Sequence, residues 1–321
     1  MFERPAISVI MPVYNPEKTQ FSEAVNSILS QTFNNFEFLI VDDGSTFSIN
    51  ELLLEFDDDR IKLIFNGQNK GISYSMNRAI SESKGKYIAR MDCDDISMPE
   101  RFEKQYTYME NHPEISVCGT FVQRFIVENG EKKEIDKRHL FKDTFKNDMD
   151  AYAAKMLFTN PGPTHPTAFF RKAFFESKNI KYDESKFYAQ DYKLWLDVYD
   201  AGGLVYIIPE KLLWYRVHDE QISVSKKDIQ SKYSKQVQKE LLERLFDKVS
   251  DEESDFHHRY ATGYYYDVGV PLESIKWFGK ILDANRKKRV FNQKKLIYRV
   301  FISIMRNAVR KLLCITKLRK P

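Results

Sequence analysis

Three carboxylates stand within four positions in the stretch A-R-M-D-C-D-D-I-S-M-P, residues 89–99: Asp92, Asp94 and Asp95. Carboxylates this close repel one another and raise one another's pKa unless positive charge sits among them. The stretch follows K-Y-I-A-R-M (86–91), which reads as a buried strand. Asp92 and Asp94, two positions apart, then project to one side of the strand end. Hard oxygen ligands so disposed suit Mg²⁺ or Mn²⁺, ions that commonly keep bonds to phosphate oxygens. An ordinary role competes: Asp95 or Ser97 as the N-cap of a helix over M-P-E-R-F, with Pro99 in its first turn. The two roles are compatible, with Asp95 capping while Asp92 and Asp94 ligate.

Other polar groups close apolar runs in the same way. D-D-G-S (42–45) follows F-E-F-L-I-V (36–41). It is either a polar turn, with Gly44 available for positive φ, or a carboxylate set to accept from a base N–H or a ribose hydroxyl. V-Y-N (13–15) closes the first run, whereas D-D-D-R (57–60) has no polar company and reads as a solvated loop. Asp191, in Q-D-Y-K-L-W-L, is either a first-turn helix acid or a general base within reach of an attacking hydroxyl. His218 in Y-R-V-H reads by itself as a packed or surface residue, and His165 in T-H-P-T orders a loop. Arg90, Lys70 and Arg78 are diphosphate contacts or surface charges. Trp195 and Trp214 are core, unless exposed enough to stack on a sugar. No G-x-G-x-x-G follows the first run and no P-loop occurs anywhere, so phosphates would have to be held by a metal and side chains.

The elements that must position these groups alternate. I-S-V-I-M-P-V (7–13), F-E-F-L-I-V, I-K-L-I-F (61–65) and K-Y-I-A-R-M are strands, separated by amphipathic stretches such as the one burying Phe21, Ala24, Val25, Ile28 and Leu29. This predicts an α/β fold with a mostly parallel sheet flanked by helices. Ligands in such sheets bind beyond the carboxyl ends of the strands, and V-Y-N, D-D-G-S and D-C-D-D all fall there. Residues 121–150 are polar, a hairpin or excursion. Strands are expected near 204–208 and 211–217, and after Ser223 the pattern is helical. The boundaries are 1–225 for the sheet domain and 226–321 for a helical C-terminal region.

The chain has 321 residues, 42% of them hydrophobic, which is enough for one large domain with an appendage or for two. Three scattered cysteines fit a reducing cytosol better than a disulfide framework. Neither a signal peptide nor an apolar run of spanning length is evident. The net charge of +4 hides an asymmetry: residues 286–321 hold thirteen Lys or Arg and no Asp or Glu, leaving 37 basic against 46 acidic elsewhere. On a helical wheel, Leu296, Ile297, Val300, Phe301, Ile304, Ala308, Leu312 and Ile315 share a broad apolar arc. Lys295, Arg299, Arg306, Arg310 and Lys317 lie opposite, with Lys311 the exception. A cationic amphipathic helix of this kind suits the plane of an anionic bilayer; the alternative is a terminal helix packed on the body. Nucleic acid, another taker for a basic tail, needs no separate apolar face and is not expected.

I-S-V-I-M-P-V-Y-N, F-L-I-V-D-D-G-S, N-K-G-I-S-Y-S-M-N-R-A-I and Y-I-A-R-M-D-C-D-D-I-S-M-P-E-R-F together resemble the family 2 glycosyltransferases of GT-A fold, bacterial surface-polysaccharide type. H-P-T-A-F-F-R-K, Q-D-Y-K-L-W-L and L-W-Y-R-V-H-D-E-Q-I-S resemble the family's later motifs, so the likeness runs over residues 5–225. It implies an inverting transfer from a nucleotide-diphosphate sugar, most often a UDP-sugar, to a hydroxyl of a glycan or lipid-linked saccharide. Pro12, Tyr14, Asn15, Asp42 and Asp43 would line the nucleoside site, with Lys70, Asp92 and Cys93 completing the donor contacts. Asp92 and Asp94 would form the D-x-D pair meeting ribose, Mn²⁺ or Mg²⁺ and diphosphate, with His218 as a third ligand. Asp191 would be the general base; the family usually carries Glu-Asp here, where this chain has Gln190-Asp191. The implied location is the cytoplasm, peripheral on the inner face of the cell membrane. Two other readings stay open: a metal-dependent nucleotidyltransferase, and a non-catalytic transferase-like partner in membrane assembly.

Overall fold

The computed structural model describes residues 4–135, 148–186, 188–218, 227–262 and 270–318, with side chains described as far as Leu312. It comprises two compact units: Met1–Asn147 with Gly162–Lys226, and Asp148–Pro161 with Lys227–Pro321.

In the first unit, strands β1 (Ile7–Val13), β2 (Phe36–Asp42), β3 (Ile61–Phe65) and β4 (Tyr87–Arg90) are parallel and lie in the order β3-β2-β1-β4. All of β2 is buried, as is all of β1 except half-buried Pro12. Their unbroken apolar runs follow from this, because crossover helices cover both faces. Helix α1 (Lys18–Leu29) buries Phe21, Ala24, Val25 and Ile28, the i, i+3, i+4, i+7 face, and Glu17 caps its start by accepting from the N–H groups of Thr19 and Gln20. Burying Phe21, Val25 and Ile28 contributes on the order of 1.5–3 kcal/mol each. Helices α2 (Ile49–Leu53) and α3 (Ile72–Glu82) complete the crossovers.

Beyond β4 the sheet is mixed. The short β5 (Ile96–Ser97) precedes α4 (Arg101–Asn111), and the long β6 (Ile115–Glu128) turns through Asn129-Gly130, both at positive φ, into β7 (Glu131–Glu134). This is the hairpin signalled by Asn-Gly. After α5 (Met149–Met156) come β8 (Phe169–Arg171), α6 (Lys172–Ser177), α7 (Gln190–Asp200) and β9 (Leu204–Arg216). β8 is antiparallel to β4 and β6, β9 parallel to β6, and β5 antiparallel to β9. The parallel expectation thus holds for β1–β4, and antiparallel strands supply most of the remainder.

Two local expectations are corrected. The strands expected near 204–208 and 211–217 are one strand, with a register shift at Pro209-Glu210 that spares Pro209 a ladder hydrogen bond it cannot donate. Neither Asp95 nor Ser97 caps α4. Pairing of Ile96 with Trp214 and Ser97 with Leu213 keeps the chain extended past both, and Glu100 holds the N-cap position without a side-chain bond.

The second unit comprises α5, α8 (Lys227–Leu242), α9 (Asp251–Thr262), α10 (Leu272–Lys288) and α11 (Gln293–Leu318). Its centre is aromatic, with Trp277 stacked on Phe246 at 5.6 Å and Phe158 set 5.9 Å from Phe278. The helical wheel of the tail is also corrected. Leu296 and Val300, assigned to the lipid-facing arc, are buried, and so is Arg299 from the supposed headgroup side. The inward side of α11 is rotated from the apolar arc and also carries Ser303, Arg306 and Asn307, which donate to the Tyr260 and Ala261 carbonyls. Ile315 and Lys317 lie outside the described side chains.

Candidate active site

The carboxyl ends of β1 and β2 are sewn together. Asn15, at φ 45°, donates its backbone N–H to Ser45 Oγ at 3.0 Å, and its Oδ1 accepts from the Thr46 N–H at 2.8 Å. Asp42 accepts the Ser45 N–H at 2.8 Å. Asp43 is committed to scaffolding: Oδ1 accepts from Asn66 Nδ2 and the Lys70 N–H, and Oδ2 accepts from the Gly71 N–H at 2.8 Å. Gly44, at φ +80°, lets this turn pass so close to the next loop that an added Cβ would sit 2.5 Å from the Gln68 carbonyl carbon. Tyr14 is half-exposed on this rim beside half-buried Pro12. Lys70 rests its Nζ on Tyr74, and Arg78 is spent on Glu82 and Asn66.

The acidic loop leaves β4 at the point where strand order reverses from β2-β1 to β1-β4, the position at which open α/β sheets form their binding crevice. Two buried guanidinium groups brace its start. Arg90 pairs with Asp92, and Arg101 donates to the Arg90 carbonyl at 2.7 Å and to Gln105 at 3.0 Å. Burial and the neighbouring Arg90 charge pull the Arg101 pKa down to about 9. From the far side Arg216, the last residue of β9, donates its N–H to Asp95 Oδ1 at 2.9 Å and its Nε–H to the Asp94 carbonyl at 2.7 Å, and pairs with Glu23. Two residues on, His218 Nε2 lies 3.1 Å from Asp94 Oδ2. The structure therefore gathers Asp92, Asp94 and Asp95 in one loop, with His218 against Asp94 alone.

One oxygen from each of Asp92, Asp94 and Asp95 lies within 4.8 Å of the others. Burial, with the charges of Asp94 and Asp92, drives the Asp95 carboxyl well above its ordinary pKa, and Asp92 is raised by burial and Asp94 against the pull of Arg90. Asp95 Oδ2 is buried with no hydrogen-bond partner. Three hard oxygens, one of them orphaned, fit a hard divalent cation, which would satisfy that atom and offset the repulsion. Cys93, between the ligands, has its thiol pushed up by burial and by Asp94, so it stays neutral.

A third group converges from the second half of the sheet. His165, buried and held neutral by burial and by Arg90, shares a 2.8 Å hydrogen bond with Tyr182 Oη. Asn77 of α3 clamps the Tyr182 backbone by accepting its N–H and donating to its carbonyl, both at 2.9 Å. Burial raises the Tyr182 pKa, and the charges of Asp191 and Asp92 raise it further, so both carboxylates lie within its electrostatic reach. Asp191 sits in the first turn of α7 and accepts the Tyr192 N–H at 2.8 Å. Gln190 Oε1 beside it is buried without a hydrogen-bond partner. Trp195 is fully buried and closes on Gly162, and Trp214 is partly buried and lines an open cavity of about 390 Å³ with Glu23, Ser27 and Lys132.

Sequence reasoning missed Arg216, Asp95 as a member of the acidic site, and the Asn77–Tyr182 clamp. Arg216 left a usable signal: it precedes His218 by two and so faces the same way at a strand end. The clamp left none, because it joins residues 105 apart in sequence.

The sequence model of glycosyl transferase family 2 matches residues 8–177, and the chain belongs to that family. The O-antigen biosynthesis glycosyltransferase WbnJ of Escherichia coli is 33% identical over 233 residues, 68% of this chain and 82% of that one. A shorter match, 41% over 103 residues (32% of this chain, 40% of the relative), is to the Escherichia coli UDP-Glc:alpha-D-GlcNAc-diphosphoundecaprenol beta-1,3-glucosyltransferase WfgD. Among solved structures, S. aureus TarS 1–349 in complex with UDP-GlcNAc superposes with a TM-score of 0.60 at 18% identity, covering 97% of this chain and 92% of that one. Against the longer TarS chain the share is 54%. The fold is thus GT-A, with C-terminal helices, and family membership sets the nucleotidyltransferase reading aside.

Proposed function

We propose that the chain is an inverting transferase that moves a sugar from a UDP-sugar onto a hydroxyl of a glycan or lipid-linked saccharide in surface-polysaccharide synthesis. The observation that carries this is the acidic loop at the strand-order reversal, with three converging carboxylates and an unpartnered, buried Asp95 Oδ2. Asp92, Asp94 and Asp95, with His218 at their edge, would hold Mn²⁺ or Mg²⁺, which when bound offsets the charge gathering on a departing diphosphate. Pro12, Tyr14, Asn15 and Asp42 line the nucleoside side. Asp43 fixes the loop that presents Lys70 there, and the neutral Cys93 thiol adds no charge beside the diphosphate.

Asp191 is the general base. At the N-terminal end of α7 the helix dipole suits a carboxylate. Its oxygen takes the proton of the acceptor hydroxyl as that oxygen bonds to the anomeric carbon. The bond from that carbon to the diphosphate breaks with its electron pair leaving on UDP, so the centre inverts. The UDP-Glc donor and diphosphoundecaprenol acceptor of WfgD support the donor and acceptor classes, the O-antigen role of WbnJ supports polysaccharide synthesis, and the TarS complex supports the donor. Among the described residues no helix is long and apolar enough to cross a membrane. The association we propose with a lipid-linked acceptor is peripheral, on the inner face of the cell membrane, through the basic C-terminal region.

A panel of UDP-sugars incubated with the protein and Mn²⁺ tests the reading. One donor should be hydrolysed to UDP, and a chelator should abolish this. No turnover of any donor, with or without lipid-linked saccharide acceptors, would overturn it.

A further inference from the structure

Helix α11 turns polar side chains inward beside buried Leu296 and Val300. Its inward side carries polar groups: Ser303 Oγ and Asn307 Nδ2 donate to the Tyr260 carbonyl at 2.8 and 2.9 Å, and Arg306 donates to that of Ala261. These carbonyls belong to the last described turn of α9. Its outward side is apolar. Ile297, Tyr298, Phe301, Met305 and Leu312 are 48, 52, 55, 39 and 63% exposed. At 3.6 residues per turn all five fall within about 100° of the helix circumference.

We infer that this outward face of α11 is the surface that meets an anionic phospholipid bilayer, with the apolar stripe among acyl chains. The inference rests on the peripheral association proposed above and names the side chains that make it. Charge decides between a bilayer and a second copy of the chain. Residues 286–321 hold thirteen basic residues and no acidic one, so two copies joined along α11 would bring like charge together. An anionic surface is complementary to it. Arg286, Lys287, Arg289 and Lys294 are exposed where α10 leads into α11, and Lys294 stands on the apolar face one turn before Tyr298. It would reach headgroups while the stripe beyond it is immersed.

Co-sedimentation of the full chain with vesicles of phosphatidylglycerol and phosphatidylcholine tests the assignment. Binding at low salt should exceed that to phosphatidylcholine alone. The double substitution Ile297→Glu, Phe301→Glu should lower partitioning about tenfold or more, with circular dichroism and UDP-sugar hydrolysis unchanged. Leu54→Glu, at an exposed leucine of the other unit, should leave partitioning as it is. A double variant that still binds like the native chain overturns the assigned face and leaves peripheral association standing. Native protein that binds no vesicle overturns both. Dimers that the same double substitution dissolves, in protein that ignores vesicles, assign the face to a second copy and overturn the bilayer.

Discussion

Arg90 and Asp92 form an ion pair in which the guanidinium is 2% exposed and the carboxylate 31%. Arg90 Nε and Nη1 are buried without hydrogen-bond partners, so its charge serves the acidic loop rather than a network of its own. Part of the positive charge that the three carboxylates require is therefore built into β4. Removing one partner of a buried pair commonly costs about 3–5 kcal/mol. Arg90→Met should lower the melting temperature in chelator, and added Mn²⁺ should raise it more than in the native protein. An equal Mn²⁺ response in both would show that Arg90 does not share this work.

The acidic loop predicts metal-dependent nucleotide binding. Calorimetry should find UDP bound far more weakly in chelator than in Mn²⁺, and Asp94→Ala should erase the difference. Equal affinity with and without the metal in the native protein would count decisively against a cation at Asp92, Asp94 and Asp95.

Asp191→Asn should bind UDP and metal about normally while transfer falls by about 10²-fold or more, the usual scale for loss of a general base. Turnover at the native rate on a working acceptor would remove Asp191 from the chemistry.

The second unit should be acid-sensitive. His257 donates from Nε2 to the Leu157 carbonyl at 2.7 Å and accepts from Trp277 Nε1 at Nδ1, so its one basic nitrogen is already engaged. Burial lowers its pKa and that of His258 to about 4. Between that value and the unfolded pKa near 6.5, the unfolded chain binds protons that the folded chain refuses. Stability should therefore hold above about pH 6.5 and fall as pH drops toward 4, by roughly 1.4 kcal/mol per pH unit for each ring. Urea midpoints across that range, compared with those of His257→Gln, measure it; an unchanged slope in the variant would disprove the assignment.

Gly44→Ala should destabilise by about 1–3 kcal/mol, from strain at positive φ and from the 2.5 Å approach to Gln68. Weaker UDP binding should accompany it, since the same turn positions Asp42 and Asp43. A chemical denaturation midpoint matching the native one would refute this.

The sequence by itself determined the parallel half of the sheet and the polar groups at its strand ends. Both are local properties: apolar runs set the strands, and Asn15, Asp42 and Asp92 each fall within two residues of a strand's end. It also marked Asp191, Asp92, Asp94 and His218, because each sits in a motif of consecutive residues. What only the tertiary structure decided depends on chain segments far apart. Asp95 belongs with the acidic site and not with α4 because β9 pairs with residues 96–97 and Arg216 holds the loop. Asn77 sets Tyr182 through bonds that span 105 residues. Tertiary packing likewise chose which side of α11 turns inward. A helical wheel ranks faces by hydrophobicity alone, whereas in the fold Ser303, Arg306 and Asn307 turn inward to bond the Tyr260 and Ala261 carbonyls and Phe301 and Leu312 stay outside.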